Sequence, residues 1–268
     1  MRVVYQSFGP SSNAAYCEAL RLILARIGAS HGATVNLATI EETRFASKQV
    51  RAFHPLAVAR LVGDAYRASS SGVSAFVIGN IQDPGLYECR QVCECPVVGM
   101  LESTIAGVQP FAARIGLVTT SRLVVPLLSE RIRLYGADHA VACIQTTGGE
   151  LTGWAQAFTD PDVRTALVAR LLSAAERAVE SGAEIVVPAS GLMSALLCQA
   201  WGIASGWSEP LDGTPIANPI AFSIAAAASS AQLARSGVIV ARGGTYNSPD
   251  RDELDALFGN QAPVEDEQ

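Results

Sequence analysis

Four short polar turns carry the side chains best suited to chemistry: they hold Ser7, Asn80, the pair Thr119 and Thr120, and Ser190 with Gly191. Ser190 can donate a hydrogen bond, or attack a carbonyl if an adjacent base takes its proton. Ahead of Met193-Ser194-Ala195-Leu196 it also reads as a helix N-cap. One placement can serve both purposes. Asn80 can hold a carbonyl through its amide, or simply shape the turn before Asp83-Pro84-Gly85. Thr119 and Thr120 offer hydroxyls and N–H groups to a carboxylate, or cap the helix that follows. Glu102 reads as a buried base or orienting group, or as a first-turn acid that complements a helix dipole. Arg242 could fork onto a carboxylate, or lie on the surface beside Gly243-Gly244.

The remaining reactive side chains form no recognisable set. Cys89, Cys93 and Cys95 stand close together, but no second pair and no nearby His completes a tetrahedral metal site. Cys89 and Cys93 are expected on a helix, with Cys95 opening a strand. Cys17 and Cys198 fall within helices and Cys143 on a strand. No disulfide framework is expected. His31, His54 and His139 occupy no motif position. Ala189-Ser190-Gly191 only half resembles the G-x-S-x-G nucleophile elbow. Without a G-x-G-x-x-G or a P-loop, neither a metal nor an organic cofactor is expected.

The turns need strands to position them. Short β-branched runs recur at Val3–Tyr5, Ala33–Leu37, Ala75–Ile78, Pro96–Val98, Ile115–Thr119, Ala140–Ile144, Ile185–Val187 and Val238–Val240. Amphipathic stretches lie between them, such as Asn13–Ile27, Pro55–Ala68, Ser121–Tyr135 and Pro161–Glu180. In the last, Val163, Ala166, Leu167, Leu171, Ala174, Ala175 and Ala178 repeat at helical spacing. Strands alternating with such helices predict parallel sheets with crossover helices, and ligands in open α/β sheets bind beyond the carboxyl ends of strands. Thr119 and Ser190 follow Ser7 and Asn80 at nearly the same interval, which suggests a duplication.

The 268 residues are 49% apolar and 16% charged, with a net charge of −6. A sizeable core can form, and no basic stripe suits nucleic acid. The most apolar long stretch, Ile216–Ala234, contains Asn218, Pro219, Gln232 and several serines. It reads as a buried Ala-rich helix rather than a membrane span. Met1 leads straight into a strand, so a cytoplasmic location is expected.

Residues 73–102 carry a resemblance. Asp83-Pro84-Gly85-Leu86 follows a strand, and Pro96-Val97-Val98-Gly99 and Glu102 come after the next helix. Ile115–Thr120, Arg133-Leu134-Tyr135-Gly136-Ala137 and Gly182–Val187 continue it in order. In these features the chain resembles the aspartate/glutamate/hydantoin racemase superfamily, in particular its hydantoin-racemase-like branch. The resemblance implies two similar doubly wound parallel-sheet lobes related by a pseudo-two-fold, with the cleft between them. Residues 1–110 plus 214–268 would form one lobe and 111–213 the other.

Members of that superfamily pass a proton between two opposed thiols. Counted along the matching motifs, the thiol positions fall on Asn80 and Ser190. Asn80 can neither take nor give a proton at useful pH, and Ser190 is a far weaker acid than a thiol. The amino-terminal family motif is altered here to Ser7 through Asn13, which leaves Ser7 and Ser11 as hydrogen-bonding groups. The resemblance thus implies a cofactor-independent homo-oligomeric enzyme acting on a small carboxylate, hydantoin or related cyclic amide. Asn80 and Ser190 would be catalytic, and Ser7, Ser11, Glu102, Thr119, Thr120 and Gly191 would bind substrate. Two-thiol racemisation is not expected. A lyase or hydrolase step of the decarboxylase kind, or ligand binding without catalysis, stands beside it.

Overall fold

The computed structural model describes residues 1–9, 12–39, 51–148, 153–208 and 211–259. Its first half comprises β1 (Arg2–Ser7), α1 (Ala14–Ser30), β2 (Thr34–Thr39), α2 (His54–Ser70), β3 (Ala75–Gly79), α3 (Leu86–Val92), β4 (Val97–Gly99) and α4 (Met100–Val108). The four strands are parallel, in the order β2-β1-β3-β4. The second half comprises β5 (Ile115–Thr119), α5 (Val125–Leu134), β6 (Val141–Thr146), α6 (Pro161–Glu180), β7 (Ile185–Pro188), α7 (Gly191–Trp201), β8 (Gly206–Trp207) and β9 (Ile216–Ala217). Its sheet runs β6-β5-β7-β9-β8, with β8 antiparallel to β9.

The two orders correspond strand for strand, β1 with β5, β2 with β6, β3 with β7 and β4 with β9. β3 and β5 are buried at all five of their positions. That explains their unbroken apolar runs, since a parallel strand covered on both faces has no polar side. β2 and β6 are sheet edges and are largely half-buried.

Local signals set the helix starts. Asp160 accepts hydrogen bonds from the N–H groups of Asp162 (3.0 Å) and Val163 (3.2 Å), with Pro161 opening α6. One face of α6 then buries Leu167, Leu171, Ala174, Ala175 and Ala178. Asn218 caps the next helix, α8 (Pro219–Arg235), by accepting from Ile220 N–H at 3.1 Å. α8 packs on α4 and β3 of the first lobe. A continuous apolar core joins the lobes, running from Leu20 and Leu24 through Met100 and Leu101 to Leu117 and Leu196.

Two expectations need correction. The chain returns to the first lobe after Ala217 rather than near Thr214, because Ile216 still pairs with Val186 of β7. Val238–Val240 forms no strand, and Ile239 is 87% exposed. A β-branched run becomes a strand only where a sheet edge is available to pair with it. Beyond it, a short helix α9 (Arg251–Leu254) and the residues that follow lie against α2. There Asp255 accepts from the Tyr66 hydroxyl at 2.7 Å.

Gly79 closes β3 where the chain has no room for a side chain. A Cβ there would press into the Tyr5 ring and come within 2.7 Å of the Gln6 carbonyl oxygen. Gly79→Ala is therefore expected to lower stability by about 2–3 kcal/mol, because part of the clash is with backbone. A denaturant midpoint within error of the parent's would contradict this packing.

Candidate functional site

The carboxyl ends of β1, β3, β5 and β7 meet between the lobes around a cleft of about 280 Å³. Asn80 follows β3, and its Oδ1 accepts from Gln82 N–H at 2.9 Å. This holds the turn and leaves the Nδ2 without a partner among the described residues. Ser190 stands opposite on extended backbone and accepts from Met193 N–H at 3.4 Å, so it caps α7. The N–H groups of Gly191 and Leu192 open α7 and have no acceptor within the helix. Thr119 and Thr120, at the end of β5, are almost fully buried. Asn80, Ser190, Thr119, Thr120 and Gly191 all line this cleft.

Gly191 lets the lobes approach each other. A Cβ on it would lie 3.2 Å from the Tyr5 hydroxyl and 3.6 Å from the Gly79 carbonyl oxygen. The start of α7 thus rests directly on the end of β3, which keeps Asn80 and Ser190 on one cavity.

Ser7, Glu102 and Arg242 are not among the described lining residues. Ser7 is fully buried behind the cleft, with its hydroxyl 3.0 Å from that of Tyr16 and accepting from Gly9 N–H at 3.1 Å. It supports Tyr16, which does line the cavity. Glu102 forms a two-pronged ion pair with Arg90, which also donates to Val97 O (3.1 Å) and Tyr246 Oη (3.2 Å). Its N–H caps onto Asp83, so Glu102 is a helix-start acid paired with an arginine. Ser11 lies outside the described residues. Arg242 donates to the carbonyls of Arg90, Gln91 and Cys93 and so closes the end of α3.

Sequence reasoning did not find the cleft's aromatic walls. Phe8 and Tyr16 come from the first lobe, and Trp154 comes from the second. Asn13 ties the two sides by donating to Ala155 O at 3.0 Å while capping α1 through Tyr16 N–H. Tyr16 meets Phe158 edge-on, with ring centroids 5.2 Å apart. These contacts join residues about 140 positions apart, beyond the reach of any periodicity.

The cleft contains little that ionises. None of its described lining residues is Asp, Glu, Lys, Arg, His or Cys. Burial pushes the Tyr16 phenol up to about 12, partly offset by its bond to Ser7. Five cysteines are buried elsewhere and Cys143 is half-buried on β6. Cys93 sits just past the end of α3, and β4 begins only at Val97. Cys198 receives a hydrogen bond from Asn218 Nδ2 at 3.3 Å, and burial raises its thiol to about 11. Among the described residues no cluster of His, Cys, Asp and Glu could hold a metal ion, and no helix is long and apolar enough to cross a membrane.

Two equivalent α/β lobes with strand ends facing one interlobe cleft define the racemase-type fold. The Asp/Glu/Hydantoin racemase family model matches residues 7–202, and the chain belongs to that family. It is similar to a hydantoin racemase of Pseudomonas sp. (strain NS671), 34% identical over 34% of this chain and 37% of that protein. It is also similar to a hydantoin racemase of Rhizobium meliloti, 25% identical over 53% of this chain and 56% of that protein. The matches thus span between about a third and just over half the length of these relatives. The allantoin racemase structure from Klebsiella pneumoniae shares the fold, with a TM-score of 0.71, 20% identity and 94% of each chain covered.

Proposed function

We propose that the chain is a racemase-type enzyme for an uncharged cyclic amide of the hydantoin kind, and that its site works without thiols. The observation carrying this reading is the cleft's lack of charged side chains and thiols among its described lining. An isolated carboxylate or ammonium brought into such a cavity would lose hydration with no opposite charge to replace it, a cost of several kcal/mol. Free amino acids and malonates are therefore poor fits. A neutral ring of carbonyls and N–H groups suits the Asn80 amide, the Thr119 and Thr120 hydroxyls and the opening N–H groups of α7. Val124, Trp154 and Leu192 offer apolar wall to a ring substituent. Hydantoin and allantoin, for which the relatives are named, are both neutral cyclic ureides.

When a carbon beside a carbonyl loses its proton, negative charge develops on the carbonyl oxygen. Preorganised donors at that oxygen lower the barrier. Asn80 Nδ2 and the α7 N–H groups supply such donors, and the helix dipole adds to them. With Asn80 and Ser190 at the positions the family resemblance gives to thiols, the proton is exchanged with water through the cleft's hydroxyls.

The test is hydrogen–deuterium exchange at C5 of 5-benzylhydantoin in D2O, followed by NMR. Exchange should survive replacement of each of the six cysteines by alanine. It should fall at least about tenfold in Asn80→Ala, the loss of one oxyanion donor. Exchange abolished by a cysteine replacement in a folded variant would restore a thiol mechanism. Saturable binding without exchange would replace catalysis by ligand capture, the reading that the shortage of an evident base also favours.

A further inference from the structure

A second cavity, of about 180 Å³, lies on the other face of the first sheet, between β1, β2 and α2. Side chains alternate along β1, so Val3 and Tyr5 face α1 while Val4 and Gln6 face this cavity. Gln6 is 1% exposed, and neither its Oε1 nor its Nε2 has a hydrogen-bond partner among the described residues. An unpaired buried amide group costs about 1–3 kcal/mol, which makes such a side chain rare unless something else meets it.

The charges around Gln6 are already engaged. Arg67 pairs with Asp64 one helical turn away and donates to Phe258 O at 3.3 Å. Arg2 donates to the carbonyl and hydroxyl oxygens of Ser71. Val4, Ala38, Ala68, Val73 and Phe76 supply apolar wall. What Gln6 leaves open is one donor and one acceptor side by side on a planar group. Their complement is an adjacent acceptor and donor on another planar group.

We propose that this cavity is a second ligand site, separate from the interlobe cleft, for a small uncharged planar molecule with a cis-amide edge. A lactam, a cyclic imide or a pyrimidine has such an edge. The ligand forms two parallel hydrogen bonds with Gln6 and lies against the Val4 and Phe76 wall. The site does not depend on the reaction carried out in the cleft.

The probe is uracil, with 1,3-dimethyluracil as the control that keeps the ring and loses both N–H donors. In 15N-labelled protein the Gln6 side-chain amide resonance is assigned by its absence in Gln6→Met. Uracil should move that resonance saturably, and dimethyluracil should bind at least about tenfold more weakly, the loss of one of two paired bonds. Without probe, Gln6→Met should melt at or above the temperature of the parent. An immobile Gln6 resonance, or movement of Asn80 alone, would overturn the site. So would a lower melting temperature for Gln6→Met, which would show that ordered water already pairs the amide. The comparison of the two uracils on the unaltered protein decides the matter even if the variant folds poorly.

Discussion

At pH 4, where the folded protein holds Asp83 protonated, Asp83→Ala should lower the stability of this protein by about 3 kcal/mol, roughly 6–12 °C in Tm for a chain of this size. Asp83 is fully buried, and its carboxylate accepts from Leu101 N–H (3.1 Å), Glu102 N–H (2.9 Å) and the Tyr135 hydroxyl (2.8 Å). The first two open α4 in the first lobe, and the third comes from the end of α5 in the second. The adjacent Gln82 carbonyl accepts from Arg131 of α5 at 3.0 Å, so this turn fastens one lobe to the other. Gly99 leaves the carboxylate its place, since a Cβ there would lie 2.6 Å from it. Alanine at 83 leaves three donors without their acceptor and unfastens the lobes beside Asn80.

The same residue gives a pH dependence whose sign is fixed. Burial, only partly offset by its hydrogen bonds, raises the Asp83 pKa from 3.8 to about 6. The folded state therefore holds the proton more tightly than the unfolded chain does. The resulting stabilisation is complete below about pH 4 and is lost as pH rises through about 6. The size of that loss is about 3 kcal/mol. Asp83→Asn keeps an acceptor oxygen and cannot ionise. The stability of the parent relative to Asp83→Asn should thus fall by that amount between pH 4 and pH 7 in urea melts. A difference that grows with pH would mean the carboxylate is stabilised as the anion.

The elements that place the site were legible where local chemistry and periodicity agreed. The helix Pro161–Glu180 could be bounded from Asp160-Pro161 and its apolar spacing, and the structure has the same bounds. Asn80, Thr119, Thr120 and Ser190 stood out as small polar residues at strand ends, and topology alone brings such ends together. The Arg90 partner of Glu102 was not legible, because it sits on another helix and no spacing rule pairs α3 with α4. The direction of the Ser7 side chain was not legible either, because a strand-end hydroxyl can point either way, and here Tyr16 takes it inward. Trp154 carried no signal, since only the closing of two lobes gives it a cavity to line.

Trp154→Ala should have the largest combined effect on stability and ligand binding. Trp154 is 2% exposed, one of the largest fully buried side chains, and it belongs to the same core as Phe158 and Tyr16. Truncating a buried tryptophan to alanine costs about 3–5 kcal/mol, because the neighbours only partly fill the space. The vacated volume opens into the cleft, so ring substrates lose a stacking wall as well as their confinement. Affinity for 5-benzylhydantoin should fall at least about tenfold, near the 1.4 kcal/mol that one aromatic contact supplies. Trp154→Phe keeps a ring in the wall and should recover much of both losses. Calorimetric titration of the two variants, with melts of each, separates the contributions. If Trp154→Ala melted early but bound the ligand as tightly as the parent, Trp154 would be core alone and the cleft's ligand would lie against its other wall.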